Sequence, residues 1–339
     1  VNVILLHNKI LCSLSDKERL LFKEHIKVMD RKLSPGLFRL TYSDELTNEY
    51  ITECLKNLDE LQHFVEVYKI INMVTVRLFE QISNGSILSM NLKTIGSLDQ
   101  FRAKFKESRN SSVRNIGSVY KRVIEYIIVI YEGFESHLSG AIGEKWINYI
   151  RKIDSLAEYA ILNCAKNTLL GVFNLLNGKN DMSPEPFILV DLTLNERKIE
   201  FEPSLENVTR SLKNIYRDII KSISIFPRLN DKFELPPSPD IRDFSIVVEE
   251  DKDCQLLLER INDVIVQNLE KTSDFIYTWQ HFRSIWDIDI DRFMSKYQDK
   301  GLELKEFEGA MLKYYDVSNQ VMMQDTTVTI TYLTFNCSR

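Results

Sequence analysis

Three aspartates, Asp287, Asp289 and Asp291, have the spacing of residues that could bind calcium. Alternating acidic residues supply the first three ligands of an EF-hand loop, whose sixth position is a glycine and whose twelfth is a bidentate glutamate. This chain has Arg292 and Gln298 at those two positions. Aspartate is also favoured in the first turn of a helix, where the helix dipole is positive. The pattern therefore predicts the acidic start of a helix and no metal site.

Nucleotide-binding and catalytic motifs are missing from the sequence as well. A P-loop requires G-x-x-x-x-G-K-[ST], so that backbone amides and a lysine can surround phosphate. Gly178-Lys179 comes closest, but Phe173 and Asn180 occupy the positions that need a glycine and a hydroxyl, which favours a helix cap. The five histidines are scattered, and neither HExxH nor GxSxG occurs. We predict no catalytic residue, no cofactor-binding residue and no metal ligand.

A basic segment between Phe101 and Arg122 is the strongest binding feature of the sequence. It contains one acid, Glu107, and seven cations. The cations are Arg102, Lys104, Lys106, Arg109, Arg114, Lys121 and Arg122. Such a run is compatible with a solvated helical face, or with an internal partner for the acidic run 249–251. The alternative is a docking patch for an acidic protein surface, and these seven residues are our candidate partner-contact patch.

Charge, hydropathy and cysteine spacing restrict the class of protein. The net charge of −6 disfavours nucleic acid as a partner, because binding to phosphates requires a clear basic excess. The longest apolar run has six residues, 126–131, whereas a membrane-spanning helix needs about 20, so no membrane partner is predicted. No two of the five cysteines lie closer than 42 residues apart, which favours the reducing cytoplasm over a disulfide-rich secreted protein.

Long helices are expected to position these residues. The 339 residues include only 11 glycines and 8 prolines, whereas average usage of roughly 7% and 5% would give about 24 and 17. A capping box at Ser15–Glu18 predicts a helix that reaches Lys32, and Ser34-Pro35-Gly36 should end it. A second helix, capped by Ser43, should run to about Ile82, because its apolar residues recur every three or four positions.

Further helices are expected in the middle of the chain. One begins near Ser97, is predicted to break near Asn110, and resumes as the apolar stretch 119–134. Glycines should then loosen the chain; they are Gly133, Gly140 and Gly143. The next helix covers 146–176 and ends at a cap formed by Asn177-Gly178.

Short β elements interrupt the helical pattern. The runs 187–194 and 199–201 predict a hairpin, 244–248 predicts a short strand, and 327–335 alternates threonine with apolar residues like one half-buried strand. A helix with its apolar stripe at Val208, Leu212, Ile215, Ile219 and Phe226 lies between them.

The overall prediction is a mainly α fold of successive elongated helical bundles, with a small inserted β-hairpin and short strands. The predicted domains are an N-terminal helical bundle over 1–182, a hairpin insertion over 183–204, a helix over 205–234, a Pro-rich connector over 235–243, a C-terminal helical bundle over 244–326 and a strand over 327–339. Because the chain starts with Val1 and not with methionine, and a strand lies at its other end, we expect a piece of a longer polypeptide.

Ordered signatures along most of the chain resemble the tail, or stem, of dynein heavy chains. Leu33-Ser-Pro-Gly36 and Leu40-Thr-Tyr-Ser43 are similar to the family's "PG…L-T-W-x-S" opening of a long tail helix, with Tyr42 in place of the usual tryptophan. The segment 186–205 resembles the tail hairpin and its F-x-P-S-L exit. Other similar segments are Trp146–Asp154, Ile225-Phe-Pro-Arg-Leu229, Trp279–Trp286, and Phe307–Asp316 leading into Val328–Cys337, which looks like the approach to the linker before the motor ring.

This resemblance, which is closer to axonemal than to cytoplasmic dyneins, implies a function. The family's tail is a non-catalytic helical rod, while ATP and Mg²⁺ are bound in the motor region of the same heavy chain. The implied partners are dynein intermediate and light chains, neighbouring heavy chains and docking proteins on axonemal microtubules. The implied location is the cytoplasm and cytoskeleton, in the axoneme of a cilium or flagellum. The basic segment would contact an acidic neighbour there.

Two alternatives from other classes share the composition. One is an unrelated helical scaffold or tethering protein, such as a vesicle-tethering or cullin-like rod. The other is an enzyme whose chemistry is not visible in known motifs.

Overall fold

The fold is described here from a computed structural model of the chain. The structure describes residues 2–34, 45–88, 96–137, 143–177, 186–195, 198–235, 241–298, 304–322, 327–330 and 333–337. These residues are mainly helical and include a small sheet, which confirms the predicted fold class. The chain forms two compact units. Unit 1 comprises Val1–Gly85, Arg114–Asn163 and Phe226–Phe244; unit 2 comprises Ser86–Val113, Cys164–Ile225 and Ser245–Arg339. The predicted domain boundaries stay a prediction.

Unit 1 is helical. Its elements are α1 (Asn2–Ser13), α2 (Asp16–Leu21), α3 (Lys23–Leu33), α4 (Glu45–Ser83), parts of α5 (Leu98–His137) and α6 (Gly143–Asn177), and α8 (Leu229–Lys232). With 39 residues, α4 is about 58 Å long, which confirms the second predicted helix. The predicted Pro35-Gly36 stop and Ser43 cap lie outside the described residues.

The first predicted helix, from Ser15 to Lys32, is wrong in one respect: it is two helices. The capping box is present, since Ser15 Oγ accepts from the Glu18 amide and the Glu18 carboxylate accepts from the Ser15 amide at 2.8 Å. The helix then breaks at Phe22, whose φ and ψ are −84° and 6°. The ring of Phe22 is fully buried, with ring centroids of Phe64 and Tyr68 at 5.5 and 5.3 Å. Aromatic packing thus sets the position of the break.

The predicted break in the third helix is also wrong, because α5 is continuous from Leu98 to His137. Asn110 and the serines after it are weak helix formers, but propensity is a small term that long flanking helical stretches override. Gly133 likewise does not loosen the chain: it lies inside α5. A Cβ at Gly133 would lie 2.2 Å from Cε2 of Phe64, so glycine is required there for close packing of α5 against this ring.

Unit 2 contains the sheet, whose strand order is β2-β1-β4-β3. Strands β1 (Ile188–Asn195) and β2 (Lys198–Glu202) form the predicted hairpin, with Leu192 opposite Phe201. Burial alternates along β1, where Ile188, Val190 and Leu192 point into the core. The hairpin prediction is therefore confirmed.

The predicted single strand at 327–335 is wrong, because it forms two strands. These are β3 (Thr327–Ile330) and β4 (Leu333–Cys337), which pair antiparallel with each other. Strand β4 also pairs in parallel with β1, placing Ile188 opposite Leu333. With β1 on one side and β3 on the other, the backbone of β4 has hydrogen-bonding partners along both edges. A single terminal strand would lack one of them.

Unit 2 also contains further helices. They are α7 (Leu205–Ile223), α9 (Phe244–Glu250, from Ser245 onward), α10 (Lys252–Gln280), α11 (Arg283–Trp286), α12 (Ile290–Gln298) and α13 (Leu304–Met322). Of these, α10 contacts β3 and α7. Helix α7 buries Val208, Leu212, Ile215 and Ile219 as predicted, but it ends at Ile223. The caps and connectors predicted at Gly178, 183–185 and 236–239 lie outside the described residues.

The short strand predicted at 244–248 is wrong, since these residues begin α9. Phe244 and Val248 are buried, while Ile246 between them is 38% exposed. A strand would bury all three on one face, whereas a helix brings positions i and i+4 together. A run of β-branched and aromatic residues can form a strand or a helix, so intrinsic propensity alone does not determine which of the two forms at 244–248.

None of the helices that the structure describes is both long and apolar enough to cross a membrane.

Candidate functional site

A groove in unit 2 gathers part of the basic segment. Its volume is about 480 Å³, and it lies between the start of α5 and the middle of α7. From α5 it is lined by Phe101, Arg102, Phe105, Lys106 and Arg109; from α7 by Arg210, Ser211, Asn214, Ile215 and Asp218. We call this feature the basic groove.

Helical periodicity explains which basic residues reach the groove. Arg102, Lys106 and Arg109 are spaced by four and three residues, so they lie on one stripe of α5. Lys104 lies two residues from both Arg102 and Lys106, about 200° around the helix, and it does not line the groove. The floor consists of Phe105 and other apolar side chains that are almost fully buried.

Local partners hold two of the groove's arginines. Arg102 donates from Nε and Nη2 to Ser211 Oγ at 3.0 and 2.8 Å, and its Nη1 lies 3.2 Å from Asp99 Oδ1. Arg109 Nη1 lies 3.4 Å from Asp218 Oδ2, so the acid that lines the groove is already paired with a cation.

The other groove cations have fewer contacts. Arg210 pairs with Glu206 at 2.7 Å, with both side chains exposed. Lys106 is exposed, and it forms neither an ion pair nor a hydrogen bond with any residue that the structure describes. Its ammonium group is therefore available to an external carboxylate.

The last three residues of the predicted patch belong to unit 1. Arg114, Lys121 and Arg122 are exposed on α5, and Lys121 lies 3.8 Å from Glu125. The sequence thus predicted one patch, whereas the structure assigns Arg102, Lys106 and Arg109 to the groove. The role of all seven residues in partner contact stays a prediction.

Unit 1 contains a buried ion cluster that was not predicted from the sequence. The Arg228 side chain is 3% exposed and lies between Asp154 and Glu158 of α6. Its Nη1 is 3.1 Å from Asp154 Oδ2, its Nη2 contacts Glu158, and its Nε donates to the Arg242 carbonyl at 2.6 Å. Its guanidinium carbon lies 4.0 Å from the ring centroid of Phe244. We call these five residues the Arg228 cluster.

Hydrogen bonds also connect the backbone next to Arg228 to α5 and α6. The Leu229 amide donates to Asp154 Oδ1 at 2.8 Å, and the Tyr120 hydroxyl of α5 donates to the Pro227 carbonyl at 2.6 Å. Burial raises the pKa of Tyr120, so its hydroxyl stays protonated and remains a donor. Burial also raises the pKa of Asp154, although the Leu229 amide and Arg228 favour its carboxylate form.

The signals for this cluster were present in the sequence but ambiguous. Asp154 follows Ile153 and lies four residues after Ile150 on the buried face of α6, and Arg228 is the one charged residue in Ile225-Phe-Pro-Arg-Leu229. A charge at a core position indicates a buried pair, because an unpaired buried charge is costly. The partner, 74 residues away, could not be identified from spacing.

A second polar centre, in unit 2, caps α10. Asp251 Oδ1 accepts from the Asp253 and Cys254 amides at 3.1 and 3.0 Å, and Lys166 Nζ lies 3.1 Å from Asp251 and 2.7 Å from Asp253. Burial raises the pKa of Cys254 to about 12, and the adjacent Asp251 carboxylate adds to this. The thiol therefore stays protonated at neutral pH and is a poor nucleophile.

Two of the aspartates with calcium-like spacing, Asp289 and Asp291, form the predicted acidic helix start, whereas Asp287 follows the end of α11. Asp289 accepts from the Arg292 amide at 3.0 Å at the beginning of α12, and Asp287 pairs with Arg283 at 3.0 Å. No group of three or more potential metal ligands occurs among the residues that the structure describes.

Comparison with known proteins identifies the relatives of this chain. No protein-family model matches it. Human dynein axonemal heavy chain 2 is 26% identical over 342 residues, which cover 98% of this chain and 8% of the human protein. From Chlamydomonas reinhardtii, the dynein-1-beta heavy chain of the flagellar inner arm I1 complex is 24% identical over 350 residues, and the dynein gamma chain of the flagellar outer arm is 19% identical over 316 residues. These alignments cover 98% and 89% of this chain, and 8% and 7% of the algal proteins.

The chain thus spans less than a tenth of the length of these relatives. Similarity nevertheless extends over nearly all of its own residues, in agreement with the ordered signatures in the sequence. The predicted resemblance to dynein heavy chains, and to axonemal ones in particular, is confirmed.

Proposed function

We propose that this chain is a non-catalytic tail segment of an axonemal dynein heavy chain. It would serve assembly with intermediate and light chains, docking on the doublet microtubule and mechanical coupling to the motor. The observation that carries this proposal is similarity over 98% of the chain to 8% of an axonemal heavy chain. The choice of the tail rests on the sequence signatures around Ser34–Ser43, the hairpin and Ile225–Leu229.

The proposed setting follows from these relatives. The chain would act in the cytoskeleton of a cilium or flagellum, beside dynein intermediate and light chains, neighbouring heavy chains or docking proteins. It needs no cofactor of its own, since ATP and Mg²⁺ would bind in the motor region of the parent heavy chain. Nucleic acid and membrane are not among the proposed partners.

The packing of unit 1 supports a mechanical role. A helix of about 58 Å, α4, packs through an aromatic core that includes Phe22, Phe64 and Tyr68. In the Arg228 cluster, the chain that follows Pro227 is bound to α6 by charge-assisted hydrogen bonds, which are stronger than hydrogen bonds between neutral groups. A unit built this way resists local deformation and can transmit force.

Deleting this segment from its parent heavy chain tests the proposal. The heavy chain, tagged and expressed in a ciliated cell, would be purified with and without the segment. We expect the deletion variant to retain ATPase turnover but to lose co-purifying intermediate chains, because the segment assembles subunits and does no chemistry. Loss of ATPase turnover with unchanged subunit recovery would contradict the proposal.

A further inference from the structure

We propose that the basic groove of unit 2 is the docking site for an acidic segment of a partner polypeptide. This deepens the proposed function and rests on it, since it names the chemistry of one contact through which the chain would assemble. The groove is formed by Arg102, Phe105 and Lys106 of α5 facing Arg210 and Ile215 of α7.

The charge of the groove selects an anionic occupant. Four cations line it and the lining contains one acid, Asp218, which is already paired with Arg109. Asp99 and Glu206 at the rim each bind one guanidinium, yet Lys106 forms no ion pair within the described part of the chain. Among the described residues, these four cations and three acids leave one positive charge unpaired, that of Lys106, whereas the whole chain carries a net charge of −6. The unpaired cation would therefore attract an acidic partner to the groove.

The spacing of the cations selects a polypeptide over a small anion. Arg102 and Lys106 lie one helical turn apart, about 6 Å along α5, and Arg210 approaches from the opposite helix. Binding of a single phosphate would require donors that converge on one point. Cations spread along both walls instead match several carboxylates in sequence, as in an acidic segment lying along the groove.

Two features prepare the groove for binding. Ser211 and Asp99 hold the Arg102 guanidinium in place from two sides, so little side-chain entropy remains to be lost on binding. The floor of Phe105 and Ile215 is buried, so it belongs to the packed core of unit 2. An acidic segment would therefore meet a preformed site.

Zero-length cross-linking of the intact complex tests this inference. Carbodiimide joins a lysine amine to a carboxylate that touches it, so it would be applied to the dynein complex extracted from axonemes, followed by mass spectrometry. We expect an amide between Lys106 and an aspartate or glutamate of another polypeptide, within an acid-rich stretch. Replacement by Lys106→Arg keeps the charge but should abolish this cross-link.

Charge reversal supplies the second readout. Without cross-linking, the double variant Lys106→Glu, Arg210→Glu should lower co-purification of the partner that the cross-link identifies about tenfold at roughly physiological salt. The matched control is Lys213→Glu, which changes an exposed lysine of α7 outside the groove and should leave recovery unchanged.

The outcomes separate this inference from the proposed function. If the heavy chain is present in the axonemal extract with its intermediate chains but Lys106 cross-links to no other polypeptide, the groove proposal is wrong and the assembly role stands. Equal partner recovery from the double variant and the control would also overturn the groove proposal. Absence of the heavy chain from axonemal dynein would instead contradict the proposed function.

Discussion

Replacing Arg228 by alanine would leave Asp154 buried next to Glu158 without their shared cation. Removing one partner of a buried ion pair leaves an uncompensated charge and typically costs about 3–5 kcal/mol. We expect the free energy of unfolding, measured by urea denaturation of the 339-residue chain, to fall by about that amount.

Two further variants make the Arg228 prediction specific. Arg217→Ala is the matched control, because Arg217 is exposed and bonds only to Asn214 among the described residues; it should change stability by less than about 0.5 kcal/mol. The variant Arg228→Met removes the same cation. Adding Asp154→Leu to it should recover part of the stability that Arg228→Met loses, because no unpaired charge then remains at the contact between positions 154 and 228. A loss no larger for Arg228→Ala than for Arg217→Ala would show that the cluster is not stabilising.

Asp251, which caps α10, should make the stability of the folded chain depend on pH. Burial alone would raise the pKa of Asp251, but the Cys254 amide and Lys166 outweigh it and hold this pKa below the ordinary 3.8. A carboxyl group with a lowered pKa stabilises the folded state above its unfolded pKa and loses that contribution as the pH falls through its folded pKa. The stabilisation is therefore present at neutral pH and lost in acid.

Asp251→Asn should accordingly lose less stability than the natural chain between about pH 5 and about pH 2. Asparagine remains a good helix cap, so the variant isolates the charge. Urea unfolding at several pH values measures the effect, with Asp274→Asn, an exposed change on the same helix, as the control. Parallel pH curves for the natural chain and Asp251→Asn would be inconsistent with this assignment.

Among the elements, the contact of α5 with Phe64 is the most sensitive to one added methyl group. Gly133→Ala would place a Cβ 2.2 Å from a ring atom of Phe64, whose ring packs against Phe22. Overpacking of this kind costs about 1–3 kcal/mol, which exceeds the roughly 1 kcal/mol that alanine gains over glycine in a helix. We expect a lower melting temperature for Gly133→Ala.

Gly171→Ala is the matched control for this prediction. Gly171 lies in α6, and no atom lies within 4 Å of a Cβ built there. Without a clash, only the helix propensity acts, and it should stabilise the chain by roughly 0.5–1 kcal/mol. Opposite signs for the two substitutions are expected; stabilisation by both would mean that Phe64 moves aside freely.

Elements with strong periodicity were predictable, whereas boundaries set by distant contacts were not. Helix α4 and the β1–β2 hairpin follow from apolar spacing alone. The break at Phe22 depends on rings more than 40 residues away in sequence. The helical start at Phe244 and the return of β4 to β1 likewise depend on tertiary partners, which local propensity does not report.

The candidate site was predictable to a similar extent. Composition identified the basic segment, and helical spacing accounts for Arg102, Lys106 and Arg109 on one stripe of α5. The facing wall, with Arg210 on α7, is more than 100 residues further along the chain, so the groove itself was not visible. The Arg228 cluster was missed for the same reason.

At the scale of the whole molecule, the central proposal is that the chain belongs to the stem of an axonemal dynein and not to its motor. The chain aligns with less than a tenth of each relative. The position of this segment within the dynein complex is therefore the property that tests the proposal. Cryo-electron tomography of axonemes can measure that position if the parent heavy chain carries a visible label in this segment. Insertion between Asn195 and Lys198, at the end of the β1–β2 hairpin, spares the paired strands.

We predict that the label density lies on the stem side of the dynein arm, toward the microtubule on which the arm is anchored. The label should remain there in the presence and absence of ATP, because the stem stays docked while the motor moves. Label density on the motor ring or on its microtubule-binding stalk would contradict the proposed stem assignment.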